Sequence, residues 1–93
     1  TQRGITHAME RDALFGILTT NIRAVAPALS AVEIVEDQNI FLDLGLDSLQ
    51  ALDVVSRTSK QLQVRLPLTA VARMSTLGDL VNQLQQCGAK VNV

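Results

Sequence analysis

The sequence predicts an all-α protein, a small four-helix bundle with three long helices and one short, packed around a single core. Three observations carry that reading. Apolar residues recur at helical spacing in three separate stretches. The one alternating run, Leu62-Gln63-Val64-Arg65-Leu66, has no partner run elsewhere and meets Pro67, so it reads as an extended link and not as a sheet strand. The chain's 93 residues leave room for one small domain, whose core must be aliphatic because Trp and Tyr are absent and Phe occurs twice.

Thr1 to Ala8 is polar, lacks periodicity and reads as a flexible leader or linker. It holds His7, the sole histidine, with no catalytic partner in the pattern. The domain proper spans 9–87. From about Met9, residues Leu14, Ile17, Leu18, Ile22 and Val25 line one face of an amphipathic helix that Pro27 ends, with Gly16 tolerated inside it. Pro27 to Leu46 is a connection of about twenty residues, long for a small domain. Leu29, Val32, Ile34, Val35, Ile40, Phe41, Leu42 and Leu44 supply it with apolar anchors, and Ser30-Ala31-Val32-Glu33 has the spacing of a capping box that would start a short turn. Glu33, Glu36 and Asp37 form an acidic patch, readable as an ordinary solvated loop or as a partner contact.

The second helix runs from Asp47 or Ser48 to about Gln61. Asp47-Ser48-Leu49-Gln50 has D-x-x-Q capping-box spacing, so Asp47 would satisfy the free backbone donors and leave the Ser48 hydroxyl unused in the first turn. The positive end of the helix dipole there would favour an attached phosphate by about 0.3–1 kcal/mol. Gly45 permits backbone angles closed to other residues and would let the turn approach closely. Leu52, Val55 and Leu62, flanked by Leu49 and Val54, exceed what a core face needs. Pro67 suits the start of a short third helix over Leu68 to Arg73, with Leu68, Val71 and Met74 as its apolar side. Thr76 and Asp79 give the last helix a capping box, Leu77, Leu80, Val81 and Leu84 its core stripe, and Gly88 its stop. Residues 88–93 read as a tail.

Bulk properties exclude several functions. Eight Lys and Arg against nine Asp and Glu give a net charge of −1, which argues against broad attraction to nucleic acid or anionic membrane. No apolar run is long enough to span a bilayer and no signal-peptide pattern is present, so a soluble cytoplasmic protein is expected. Cys87 is the single cysteine, which rules out an internal disulfide or a cysteine-based zinc site, and no activating cation adjoins it. No His/Cys cluster or calcium loop suggests a metal.

The segment Leu44-Gly45-Leu46-Asp47-Ser48-Leu49, with Phe41 upstream and a helical pattern downstream, resembles the prosthetic-group site of acyl carrier proteins, especially the carrier domains of polyketide synthases. The likeness runs in register from about Leu14 to Leu84. It implies an acyl-carrier-protein-like fold and a non-catalytic role. By that resemblance, a phosphopantetheinyl transferase would move the 4′-phosphopantetheine of coenzyme A onto Ser48, and the terminal thiol would carry acyl groups as thioesters. Gly45, Asp47 and Leu49 would frame the attachment. Leu49, Leu52 and Asp53 would meet partner enzymes, namely ketosynthase, acyltransferase and tailoring domains, although both leucines are equally readable as core. Val71 and Met74 are readable as acyl-chain contacts or as plain core. The isolated domain would be monomeric.

A peptidyl carrier would more often show Gly-Gly-His-Ser or Gly-Gly-Asp-Ser, so Leu46 and Asp47 favour the acyl class. A carrier fold that has lost modification and serves as a helical interaction module is the second alternative. A Gly-Asp-Ser-Leu esterase needs a base and an oxyanion hole, and His7 in the leader supplies neither. The tryptophan frequent beyond the serine in carriers that recruit β-branching enzymes is absent. From Ser48 to Gln63 only Asp53 stands against Arg57 and Lys60, unlike strongly acidic freestanding carriers, so a domain tethered within a larger synthase is expected.

Overall fold

The computed structural model describes residues 6–8, 11–66, 76–87 and 90–92. Three α-helices carry the core: α1 (Arg11–Val25), α2 (Ser48–Leu62) and α3 (Leu77–Gln86). The expected short helix over Leu68 to Arg73 lies outside the described residues. So does Gly88; α3 ends at Gln86, with Cys87 as its C-cap. The all-helical reading gains one addition. Strands β1 (Thr6–Ala8) and β2 (Lys90–Asn92) pair antiparallel, with His7 opposite Val91, where the sequence suggested a loose leader and tail. Three residues a side are too few to leave an alternation pattern in the sequence.

The core is aliphatic as expected. Leu14, Leu18 and Ile22 of α1 pack with Ala51, Val54 and Val55 of α2 and with Leu77, Leu80, Val81 and Leu84 of α3. Each fully buried large side chain contributes about 1.5–3 kcal/mol. Where α1 meets α2, one polar pair is buried in this apolar contact. Asn21 Nδ2 donates to Thr58 Oγ1 at 2.9 Å, and the Thr58 hydroxyl donates to the Val54 carbonyl at 2.8 Å. A satisfied pair of this kind costs little, and it pins the register of the two helices.

The connection from 26 to 47 differs in detail from its sequence reading. Pro27 starts a 3₁₀ turn (Pro27–Leu29), and Ser30 closes that turn by donating its N–H to the Pro27 carbonyl. The proline's preset φ starts the turn at residue 27, so the anticipated box from Ser30 to Glu33 does not form. Of the expected anchors, Ile34, Ile40 and Leu44 are buried, Leu29 and Phe41 pack partly on the core, and Val32, Val35 and Leu42 are exposed. Glu36 is tied to structure, because Arg11 at the start of α1 pairs with its carboxylate and also reaches Asn82 and Gln85 on α3.

Candidate functional site

Asn39 organises the approach to α2. Its side-chain Oδ1 accepts from the N–H of Phe41 and of Leu42, both at 2.8 Å, while Asp43 Oδ2 accepts from the Asn39 N–H at 2.6 Å. This reciprocal cap winds one helical turn over 40–44, which drives Ile40 and Leu44 inward and leaves Leu42 86% exposed. Gly45 then reverses the chain at φ +75°, the left-handed region that glycine enters without a Cβ penalty. Among the described residues, nothing beyond its chain neighbours lies within 4 Å of where its Cβ would be, so there Gly45 serves the turn by its φ and not, as expected, by close approach. Leu46 turns inward and is buried, which anchors the chain immediately before the cap.

The capping box at α2 forms as its spacing predicts. Asp47 is extended (φ −90°, ψ 177°), its carboxylate accepts from the Gln50 N–H at 2.8 Å, and Gln50 Oε1 accepts from the Asp47 N–H at 3.1 Å. Ser48 is therefore the first helical residue, exposed, with its hydroxyl outside the box. Among the described residues, no loop or cap acceptor meets the N–H groups of Ser48 and Leu49, which stand at the start of α2 as first-turn donors. An exposed, uncommitted oxygen beside free backbone donors fits a phosphodiester.

Around Ser48, Leu49 is 78% exposed and stands outside the core. Leu52 is half-buried and packs against the core edge. Asp53 is exposed and held by Arg57, one turn on, at 3.0 Å. Val71 and Met74 lie outside the described residues. Leu42 escaped the sequence reading as a surface residue, although the Asn39-to-Asp43 cap, with Ile40 and Leu44 four apart, carries the signal that would have turned it outward. Among the described residues there is no group of His, Cys, Asp or Glu able to hold a metal, and no helix is long and apolar enough to cross a membrane.

A family model described as the phosphopantetheine attachment site matches residues 18–84. The chain belongs to that family. Its prosthetic group is 4′-phosphopantetheine, held covalently; within the matched span, Ser48 is the exposed residue that follows the Asp47 cap. Among curated proteins, the polyketide biosynthesis acyl-carrier-protein AcpK of Bacillus subtilis (strain 168) is 25% identical over 76 residues, covering 82% of this chain and 92% of that protein. Among solved structures, the curacin biosynthetic pathway HMG synthase in complex with acetyl donor-ACP gives a TM-score of 0.76 at 19% identity, covering 84% of this chain and 99% of the matched one. At that identity the likeness shows a shared fold.

On the far part of α2, a cavity of about 370 Å³ lies between the helix and the link over 64–66. Leu52, Val55, Val64 and Leu66 give it apolar walls; Ser59, Lys60 and Arg65 add polar groups.

Proposed function

We propose that this phosphopantetheine protein is an acyl carrier of polyketide biosynthesis, loaded at Ser48 and without catalytic activity of its own. One observation carries the loading site: Ser48 is exposed at an open helix start, and Asp47 does the capping. The polyketide assignment is supported by the family match and by the AcpK relative.

In loading, the Ser48 Oγ attacks the phosphorus of coenzyme A that bears the pantetheine, a new P–O bond forms, and adenosine 3′,5′-bisphosphate leaves as the hydroxyl proton is lost. The group supplies a terminal thiol for thioester attachment. The chain's own residues prepare that step. Asp47 and Gln50 fix the first turn, the Ser48 and Leu49 N–H groups offset the phosphate charge, and Leu42 and Leu49 present an apolar rim. We assign recognition by the transferase and by synthase domains to Leu49, Leu42, Leu52 and Asp53. Asp53 is already neutralised by Arg57, so contact at this helix is mainly apolar, as suits a carrier delivered by a tether within a larger synthase.

The test is intact mass after incubation with coenzyme A, Mg²⁺ and a broad-specificity phosphopantetheinyl transferase. Full conversion to the phosphopantetheine adduct is expected. An unchanged mass, with the fold intact by circular dichroism, would make the chain a helical interaction module instead.

A further inference from the structure

The cavity on α2 is in line with the loading site. Ser48, Leu52, Val55 and Ser59 stand at i, i+4, i+7 and i+11, which is one stripe of the helix, so an arm fixed to Ser48 and laid along that stripe passes Leu52 and Val55 before reaching Ser59. Eleven residues correspond to about 16 Å along the axis, within reach of an extended phosphopantetheine arm and its cargo.

The far end of that stripe is not built like a pure hydrocarbon slot. The Ser59 hydroxyl oxygen is buried and has no hydrogen-bond partner among the described residues. A buried hydroxyl left unpaired costs about 1–3 kcal/mol, and such groups ordinarily find a partner. Lys60 and Arg65 border the same cavity, while neither Asp nor Glu does so among the described lining residues. A ligand that brought an oxygen acceptor, above all a negatively charged one, would satisfy the hydroxyl and face two cations.

Resting on the carrier reading, we propose that this cavity selects acyl groups that end in a carboxylate, with Ser59 donating to the carboxylate, Lys60 and Arg65 opposing its charge, and Leu52 and Val55 covering the chain that leads to it. The cavity thereby distinguishes dicarboxylic half-thioesters from simple alkanoyl thioesters of equal length.

The experiment loads the apo chain with succinyl- or butyryl-phosphopantetheine from the matching coenzyme A thioesters, and follows amide chemical shifts along α2 and the 64–66 link together with the rate of thioester cleavage by hydroxylamine. The succinyl form should shift the Ser59, Val64 and Arg65 amides and resist hydroxylamine about tenfold better than the butyryl form, the factor one charge-assisted hydrogen bond supplies. Ser59→Ala, and separately Lys60→Gln with Arg65→Gln, should remove that difference while leaving loading at Ser48 complete. Equal shifts and equal protection for the two cargoes would overturn the proposal, as would a succinyl preference that survives both sets of substitutions. Failure to load at all would instead strike the carrier reading, and intact mass separates the two outcomes.

Discussion

Two helices of this protein open with the same device and use it for opposite ends. Both α2 and α3 start with a full capping box, Asp47 with Gln50 in one and Thr76 with Asp79 in the other. At α3 the residue after the cap is Leu77, 1% exposed, and the connecting loop covers the helix start: the Leu77 N–H donates to the Gln38 carbonyl at 2.9 Å and the Gly78 N–H to the Glu36 carbonyl at 2.8 Å. Glu36 Oε1 would lie 3.3 Å from a Cβ at residue 78, so the loop is seated closely. At α2 the residue after the cap is a hydroxyl in solvent, the next is an exposed leucine, and the corresponding two donors have no loop acceptor among the described residues. A capping box by itself thus marks a helix start. The loop decides whether that start is a covered structural joint or stays open to solvent.

The comparison can be broken most forcefully at the buried start. Leu77→Ala should lower stability by about 2–5 kcal/mol through lost burial and a residual cavity, read by urea unfolding. Removing either cap should cost about 0.5–2 kcal/mol, so Thr76→Ala and Asp47→Ala should give similar losses if the two boxes are equivalent. Only the second should also slow loading at Ser48. Gly45→Ala should cost about 1 kcal/mol from its positive φ with no clash, and a larger loss would point to packing that the open space around Gly45 excludes. Leu49→Ala should change stability by less than about 0.5 kcal/mol, because its side chain contacts mainly solvent, yet slow modification by the transferase. Smallest of all should be the response to salt. With Asp53 paired to Arg57, transfer rates should fall only slightly between low and physiological ionic strength, checked by stopped-flow acyl transfer.

How much of this was legible follows from the range of the interactions. The cap at Asp47 and Gln50, the exposed Ser48, the left-handed Gly45 and the stripe of α3 all rest on residues a few positions apart, and each was readable from spacing. The features that make the two helix starts different were not. The loop carbonyls of Glu36 and Gln38 reach α3 across some forty residues, and Arg11 ties α1 to Glu36 and to Gln85 across 25 and 74 positions. Tertiary contacts of that range leave no local pattern. For the same reason Val32 and Val35 could not be told from true anchors such as Ile34 and Ile40 by their apolar character alone. The buried Asn21 and Thr58 pair belongs to this class too, since each residue taken singly looks like surface.

The central claim is that the open start of α2 is where this chain is modified, at Ser48. Peptide mapping of the protein after treatment with coenzyme A, Mg²⁺ and a phosphopantetheinyl transferase tests it directly, run beside the Ser48→Ala variant. The account predicts one phosphopantetheine per chain, confined to the peptide that holds Ser48, and none on the variant. Adduct on another hydroxyl, or undiminished mass gain in Ser48→Ala, would contradict it.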